Sequence, residues 1–244
     1  AQAIERDPHN LEYRRLAAEA AADSGDHDAA WSLLNDWEAS LDPEDADPAT
    51  REAHIRIERQ RVSTYRDAAE GSLRRAAELE GTIAPGPGLP IYLVPVDPKP
   101  AARVELARAD LRTQSALDAL DRLEALEGTT LSSEFERAIL HALRARIERD
   151  PSERAAALRG SLNEIAALRE RPGFRDLPSR YQLDLARYML EMNHDLARAD
   201  QGAQLSTEIE KWQMIYGTAS GIVASARDEG EGSFSTIVTP ETLP

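Results

Sequence analysis

Aspartate-proline pairs recur along the chain at Asp7-Pro8, Asp42-Pro43, Asp47-Pro48, Asp97-Pro98 and Asp150-Pro151, and each reads as the start of a helix. The aspartate offers a carboxylate to the free amides of a first turn, and proline suits the first helical position, where no amide hydrogen is needed. Glu153 follows Asp150 at capping-box spacing, and Ser133 with Glu136 and Ser179 with Gln182 repeat that box. Stop signals match the starts, since Leu79-Glu80-Gly81-Thr82 and Leu126-Glu127-Gly128-Thr129 are near-identical helix ends. Between these marks the sequence predicts helices over 11–24, 27–40, 48–80, 100–127, 133–149, 151–170, 178–192 and 195–216, with Gly71 and Arg112-Thr113 as candidate break points. The best apolar stripe is Phe135, Ile139, Leu143 and Ile147 with Ala138 and Ala142, which recurs at helical spacing and must face a neighbour. Short connections make successive helices antiparallel. The expected fold is all-α, an array of helical hairpins.

Composition narrows the function classes. With 244 residues, 41% of them apolar, the chain is long enough to bury a core, and its Ala, Leu, Arg and Glu content favours helix over sheet. A formal charge of -15, with no long Lys/Arg cluster free of interleaved acids, argues against a general nucleic-acid binder. Lysine occurs only at Lys99 and Lys211, a bias that a GC-rich bacterial genome produces. Cysteine is absent, which excludes disulfides, thiolate metal sites and cysteine nucleophiles and is compatible with a periplasmic or cell-envelope setting. The longest apolar run, Ile91-Tyr92-Leu93-Val94, is far too short to cross a bilayer.

The first 41 residues carry a more specific pattern. Ala3 is followed five positions later by Pro8, a helix start comes three residues after that proline, Gly25-Asp26 forms a turn, and Ala30 lies five residues past the glycine. This spacing resembles one frame of a tetratricopeptide (TPR) repeat, about 34 residues long. Gly25 supplies the positive φ that closes a first helix, and Ala30 lets two helix axes approach closely. The frame then degrades: Trp37 stands where a small residue is usual, Arg14 replaces the large aromatic with Tyr13 adjacent, and Pro43 comes one residue late. The resemblance implies hairpins stacked as a TPR-like solenoid and protein binding as the family habit. It also places Ala1 inside the tail of a repeat helix whose partner lies upstream.

Two segments interrupt the helical pattern. Residues 82–100 hold Pro85, Pro87, Pro90, Pro95, Pro98 and Pro100 and are incompatible with helix, yet Ile91, Tyr92, Leu93, Val94 and Val96 are too apolar for a bare linker. They predict an extended arm, packed either on the chain's own helices or on a partner. Residues 217–244, rich in Gly, Ser and Thr and ending through Phe234, Ile237 and Val238, predict a non-helical tail, held either by another subunit or by the chain's own concave surface. The domain expectation is therefore 1–81 as TPR-like hairpins, 82–100 as the arm, 101–216 as a hairpin array and 217–244 as the tail.

No motif identifies an enzyme. The histidines are His9, His27, His54, His141 and His194, and Glu191-Met192-Asn193-His194 has the spacing that places two metal ligands on one helix face. No second such motif exists, so a helix-end histidine is the better reading. The acids Asp42, Glu44, Asp45 and Asp47 lack the central glycine and terminal glutamate of a calcium loop and read as helix caps. Gly86-Pro87-Gly88 is broken by proline and presents no phosphate cradle, and no nucleophile elbow occurs. No catalytic residue, metal or cofactor is expected. Trp31 and Trp37 lie on different sides of one helix, and they, with Trp212, Tyr216, Ile91, Tyr92, Leu93, Val94, Phe234, Ile237 and Val238, are the candidate partner-binding residues.

The expected function is a protein-interaction scaffold or structural subunit of a larger bacterial assembly, whose partners are other protein subunits met through groove, arm and tail. An accessory helical domain of a cell-envelope enzyme or secretion machine, and a helical bundle binding ligand or metal through Glu191 and His194, stay open beside it.

Overall fold

The computed structural model describes residues 11–41, 47–84, 90–177, 179–200 and 205–229. The fold is all-α: among the described residues there are eight α-helices and one two-stranded ribbon. The helices are α1 (Leu11–Asp23), α2 (His27–Glu38), α3 (Pro48–Glu80), α4 (Pro100–Glu127), α5 (Leu131–Ile147), α6 (Pro151–Arg169), α7 (Ser179–Ala199) and α8 (Ser206–Glu229). Strands β1 (Ile83–Ala84) and β2 (Ile91–Tyr92) pair antiparallel within the arm, Ile83 opposite Tyr92. No described helix is long and apolar enough to cross a membrane.

Capping explains several of the boundaries. Gly25 sits at φ +80, Asp26 N–H closes the end of α1 onto Ala21 O at 2.9 Å, and the Asp26 side chain accepts from Ala29 N at 3.1 Å to open α2. One dipeptide thus ends one helix and caps the next. Gly81, at φ +69, ends α3 in the same way, with Thr82 N–H on Ala77 O at 2.9 Å. Asp150 accepts from both Ser152 N and Glu153 N at 2.9 Å, with Pro151 in the first turn of α6.

Several boundaries depart from expectation. Helix α5 begins at Leu131, because the reciprocal cap joins Thr130 and Ser133 (Ser133 N to Thr130 Oγ1 3.1 Å, Thr130 N to Ser133 Oγ 3.0 Å) in place of Ser133 and Glu136. Asp97-Pro98 opens no helix and lies in the arm, although α4 itself, Pro100–Glu127, keeps the expected bounds. Neither α3 nor α4 breaks. A single internal glycine costs a helix only about 1 kcal/mol, and Thr113 returns its hydroxyl to Ala109 O at 2.8 Å while Arg112 reaches across to α3. The largest correction is at the C-terminus. Helix α7 runs through Asn193 and His194 to Ala199, and α8 continues past Gly217 to Glu229, so the first part of the expected extended tail is helical. The stretch 217–229 contains no proline and much alanine, and Thr218 Oγ1 bonds Met214 O at 2.9 Å. Small residues alone do not stop a helix.

The chain divides into two compact units, Ala1–Ser72 with Arg108–Ser133 and Leu73–Ala107 with Glu134–Pro244. In the first, Ala18 of α1, Leu34 and Trp37 of α2, and Ala53 and Ile57 of α3 form a core, with Leu33 and Leu41 packed against it. Ala30 is fully buried, as a close approach of α2 to its neighbours requires. In the second, α5 is buried on almost every side: Phe135, Ala138, Ile139, Leu140, Ala142 and Leu143 have no exposed surface. Phe135 meets Tyr181 edge-on at 5.1 Å and Phe174 at 5.9 Å.

Candidate functional site

In the second unit the apolar stripe of α5 carries one charge, Arg146, between Leu143 and Ile147. Arg146 Nε donates to Asp195 Oδ2 at 2.7 Å, Nη1 to Glu191 Oε2 at 2.7 Å, and Nη2 to the carbonyl of Tyr92 at 2.6 Å. Burial alone weakens its hold on the proton, yet Glu191 and Asp195 outweigh burial and raise the guanidinium pKa above its ordinary value. The free oxygen of Asp195, Oδ1, accepts Val94 N–H at 3.0 Å. From α6, Arg154 donates through Nη1 to Pro95 O at 2.9 Å and through Nη2 to Val94 O at 3.1 Å. Only 2% of Arg154 is exposed, its Nε has no partner among the described residues, and burial moves its pKa downward.

On its helix side the backbone of residues 92–95 is thus fastened by side chains of α5, α6 and α7. On the other side β1 pairs with it and Leu93 bonds Thr82 twice, its N–H donating to Thr82 O at 3.0 Å and its carbonyl accepting from Thr82 Oγ1 at 2.7 Å. Ile91, Leu93 and Val94 are buried in this unit, and Tyr92 is half-buried with the Arg74 guanidinium 5.1 Å from its ring centre. Both carboxylates of the cluster are engaged by Arg146. The chemistry this supports is clamping of an extended backbone. Glu191 of the Glu-x-x-His pair is one of those carboxylates, while His194 Nε2 is buried without a hydrogen-bond partner among the described residues and burial lowers the imidazole pKa. Among the described residues no group of three or more His, Asp or Glu is placed to hold a metal ion.

The first unit holds a second charged network. Arg61 of α3 donates through Nη2 to Glu38 Oε2 at 2.7 Å and Asn35 Oδ1 at 2.8 Å, and through Nη1 to Glu58 Oε1 at 2.6 Å. Arg122 of α4 reaches Glu58 Oε2 at 3.1 Å. The hydrogen bond from Arg61 is the main reason that Glu38 titrates below its ordinary value. Trp31 is half-buried, stacked on Tyr65 at 5.1 Å with the Arg112 guanidinium 5.7 Å from its centre, and Arg112 is itself anchored on Ser72 Oγ at 2.7 Å. Trp37 is core.

Other residues of this unit face outward. On α1, Tyr13 is 40% and Leu16 47% exposed, and Ala20 is exposed as well, which sets an apolar stripe at i, i+3 and i+7 toward solvent. Beside it, an open cavity of about 370 Å³ is lined by Arg14, Leu33, Asp36, Ala39 and Ser40, with Arg14 Nη1 donating to Asp36 O at 3.0 Å.

Of the remaining candidates, Trp212 and Tyr216 are buried on α8, Trp212 with the Arg169 guanidinium 5.1 Å and the Lys211 ammonium 5.8 Å from its ring centre. Phe234, Ile237 and Val238 lie outside the described residues, as do Asp42, Glu44 and Asp45. The structure thus brings Ile91, Tyr92, Leu93 and Val94 together and leaves Trp31 and Trp37 in different surroundings on one helix. Sequence reasoning missed Arg146, Arg154 and Asp195. For Arg146 and Asp195 the signal was a charge inside a buried periodicity: Arg146 follows Ile139 by seven positions, and Asp195 follows Tyr188 by seven. No protein-family description, curated protein or solved structure matches this chain.

Proposed function

We propose that this chain is a non-enzymatic interaction subunit whose TPR-like hairpins hold other protein chains. The carrying observation is α1. One side of it contributes Ala18 to the core with α2 and α3, while the opposite side presents Tyr13, Leu16 and Ala20 to solvent at helical spacing. A helix with two apolar faces in so charged a chain is suited to packing on both sides, and a repeat helix does so. The hairpin turn supports the same reading, since Gly25, Asp26 and the buried Ala30 occupy the positions that the repeat frame assigns them. The buried guanidinium groups of Arg61 and Arg146 are absorbed in structural pairs, Arg61 with Glu38 and Glu58, Arg146 with Glu191 and Asp195.

The test is site-specific photo-crosslinking in the native host, with the photoreactive residue at position 16 and, as control, at the exposed Glu52 of α3. Discrete protein adducts at 16 and none at 52 are expected. Equal labelling of both positions, or no adduct at 16, would count against the proposal.

A further inference from the structure

The arm is held the way a receptor holds a peptide. Its contacts to α5, α6 and α7 are made to backbone atoms, the carbonyls of Tyr92, Val94 and Pro95 and the N–H of Val94, by Arg146, Arg154 and Asp195. Side-chain anchoring is separate and apolar, through Ile91, Leu93 and Val94. Backbone hydrogen bonds combined with pockets for apolar side chains are how extended peptides are recognised, and such recognition does not depend on the peptide being covalently attached. Pro90, Pro95 and Pro98 keep the segment extended in any context, so ordering it costs little entropy.

We propose that α5, α6 and α7 form a receptor for an extended, apolar, proline-bearing segment of a partner protein, and that residues 91–95 occupy this receptor in cis as a displaceable strap. The proposal deepens the reading of the chain as an interaction subunit, but it concerns a different surface from α1. The side chains divide the task. Arg146 is balanced by Glu191 and Asp195 whether or not the strap is in place, so the receptor floor keeps its charge balance when the strap leaves. Among the described residues Arg154 finds acceptors only in the two strap carbonyls, so it is the group that most requires an occupant. A buried guanidinium without acceptors is costly, and an incoming segment gains by supplying them.

The test uses the whole chain. Amide hydrogen exchange is followed at Leu93 and Val94 in the strap and at Leu140 and Leu143 in α5, with and without millimolar synthetic peptide of the sequence of residues 90–96. A displaceable strap exchanges by local opening, at least about tenfold faster than α5, and added peptide speeds it further without changing α5. Equal exchange of strap and helix means that the strap opens only on global unfolding and overturns the proposal. Unchanged strap exchange on adding peptide does the same. A variant with residues 90–96 replaced by a Gly-Ser linker provides the direct measurement where it folds. It binds the fluorescent peptide saturably, and Arg154→Met in that background reduces the affinity at least about tenfold, whereas a folded variant that binds nothing also overturns the proposal. Either failure leaves the photo-crosslinking at Leu16 untouched, so the two readings fail separately.

Discussion

Arg146 and Asp195 stand 49 positions apart in the chain and meet at 2.7 Å in the interior of one unit, where neither has more than a trace of exposed surface. Each also bonds the arm, Arg146 at Tyr92 O and Asp195 at Val94 N–H, so the ion pair is at once a link between α5 and α7 and the floor under residues 92–94.

Removing one member of this pair leaves the others charged and buried. Arg146→Met should destabilise the protein by about 3–5 kcal/mol, measured by urea unfolding, because Glu191 and Asp195 lose their shared counter-ion. Asp195→Asn keeps the shape and an acceptor and should cost less. The order Arg146→Met worse than Asp195→Asn is the prediction, and the reverse order refutes the assignment of Arg146 as the hub.

The two tryptophans of α2 should separate cleanly. Trp37→Ala opens a cavity in the core between α2 and α3 and should cost about 3–5 kcal/mol. Trp31→Ala removes a half-buried ring whose stacking with Tyr65 adds only about 0.5–1.5 kcal/mol beyond its burial, so the loss should be clearly smaller. Thermal melts of both variants by circular dichroism decide it.

Two glycines should respond with opposite signs to the same substitution. At Gly25, φ is +80 and an added Cβ meets nothing within 4 Å, so Gly25→Ala carries a purely conformational penalty of about 1–2 kcal/mol. Gly160 lies inside α6 with equally open space and no such φ, so Gly160→Ala should stabilise by about 0.5–1 kcal/mol. Equal shifts in melting temperature for both would show that the α1–α2 turn does not need its left-handed residue.

Stability should fall with acid in two separate windows. Burial lowers the His194 pKa below its ordinary 6.5, so the unfolded chain takes up this proton first; the contribution is complete above pH 6.5 and is lost as pH falls below it. The hydrogen bond from Arg61 lowers the Glu38 pKa from 4.5, so its contribution is complete above pH 4.5 and is lost as pH falls through the lower folded value. His194→Gln should flatten the melting-temperature profile in the first window only, and Glu38→Gln in the second only.

The helices were legible because their signals are local. Asp26, Asp150, Gly25 and Gly81 act on amides and carbonyls a few positions away, and the Phe135 to Ile147 stripe needs only helical periodicity to be read. The same locality explains the errors. Thr130 competes with Glu136 for Ser133, and the weak breakers Gly71 and Gly217 are outweighed by the helix around them. Nothing within a few residues of Arg154 announces that its donors belong to carbonyls some 60 positions earlier.

Helical class, hairpin turns and the refusal of residues 90–99 to join a helix follow from backbone chemistry that each residue carries with it, independent of what it later meets. Which charges are buried, and for whose sake, does not. The sequence places Arg154 among 29 basic residues with nothing to mark it, and marks Arg146 only by its position in an apolar periodicity. Packing of α5, α6 and α7 takes them out of water and obliges them to find acceptors, and the nearest are Glu191, Asp195 and the carbonyls of the arm. Desolvation, which exists only once the helices are assembled, turns an apolar proline-rich stretch into a clamped strap.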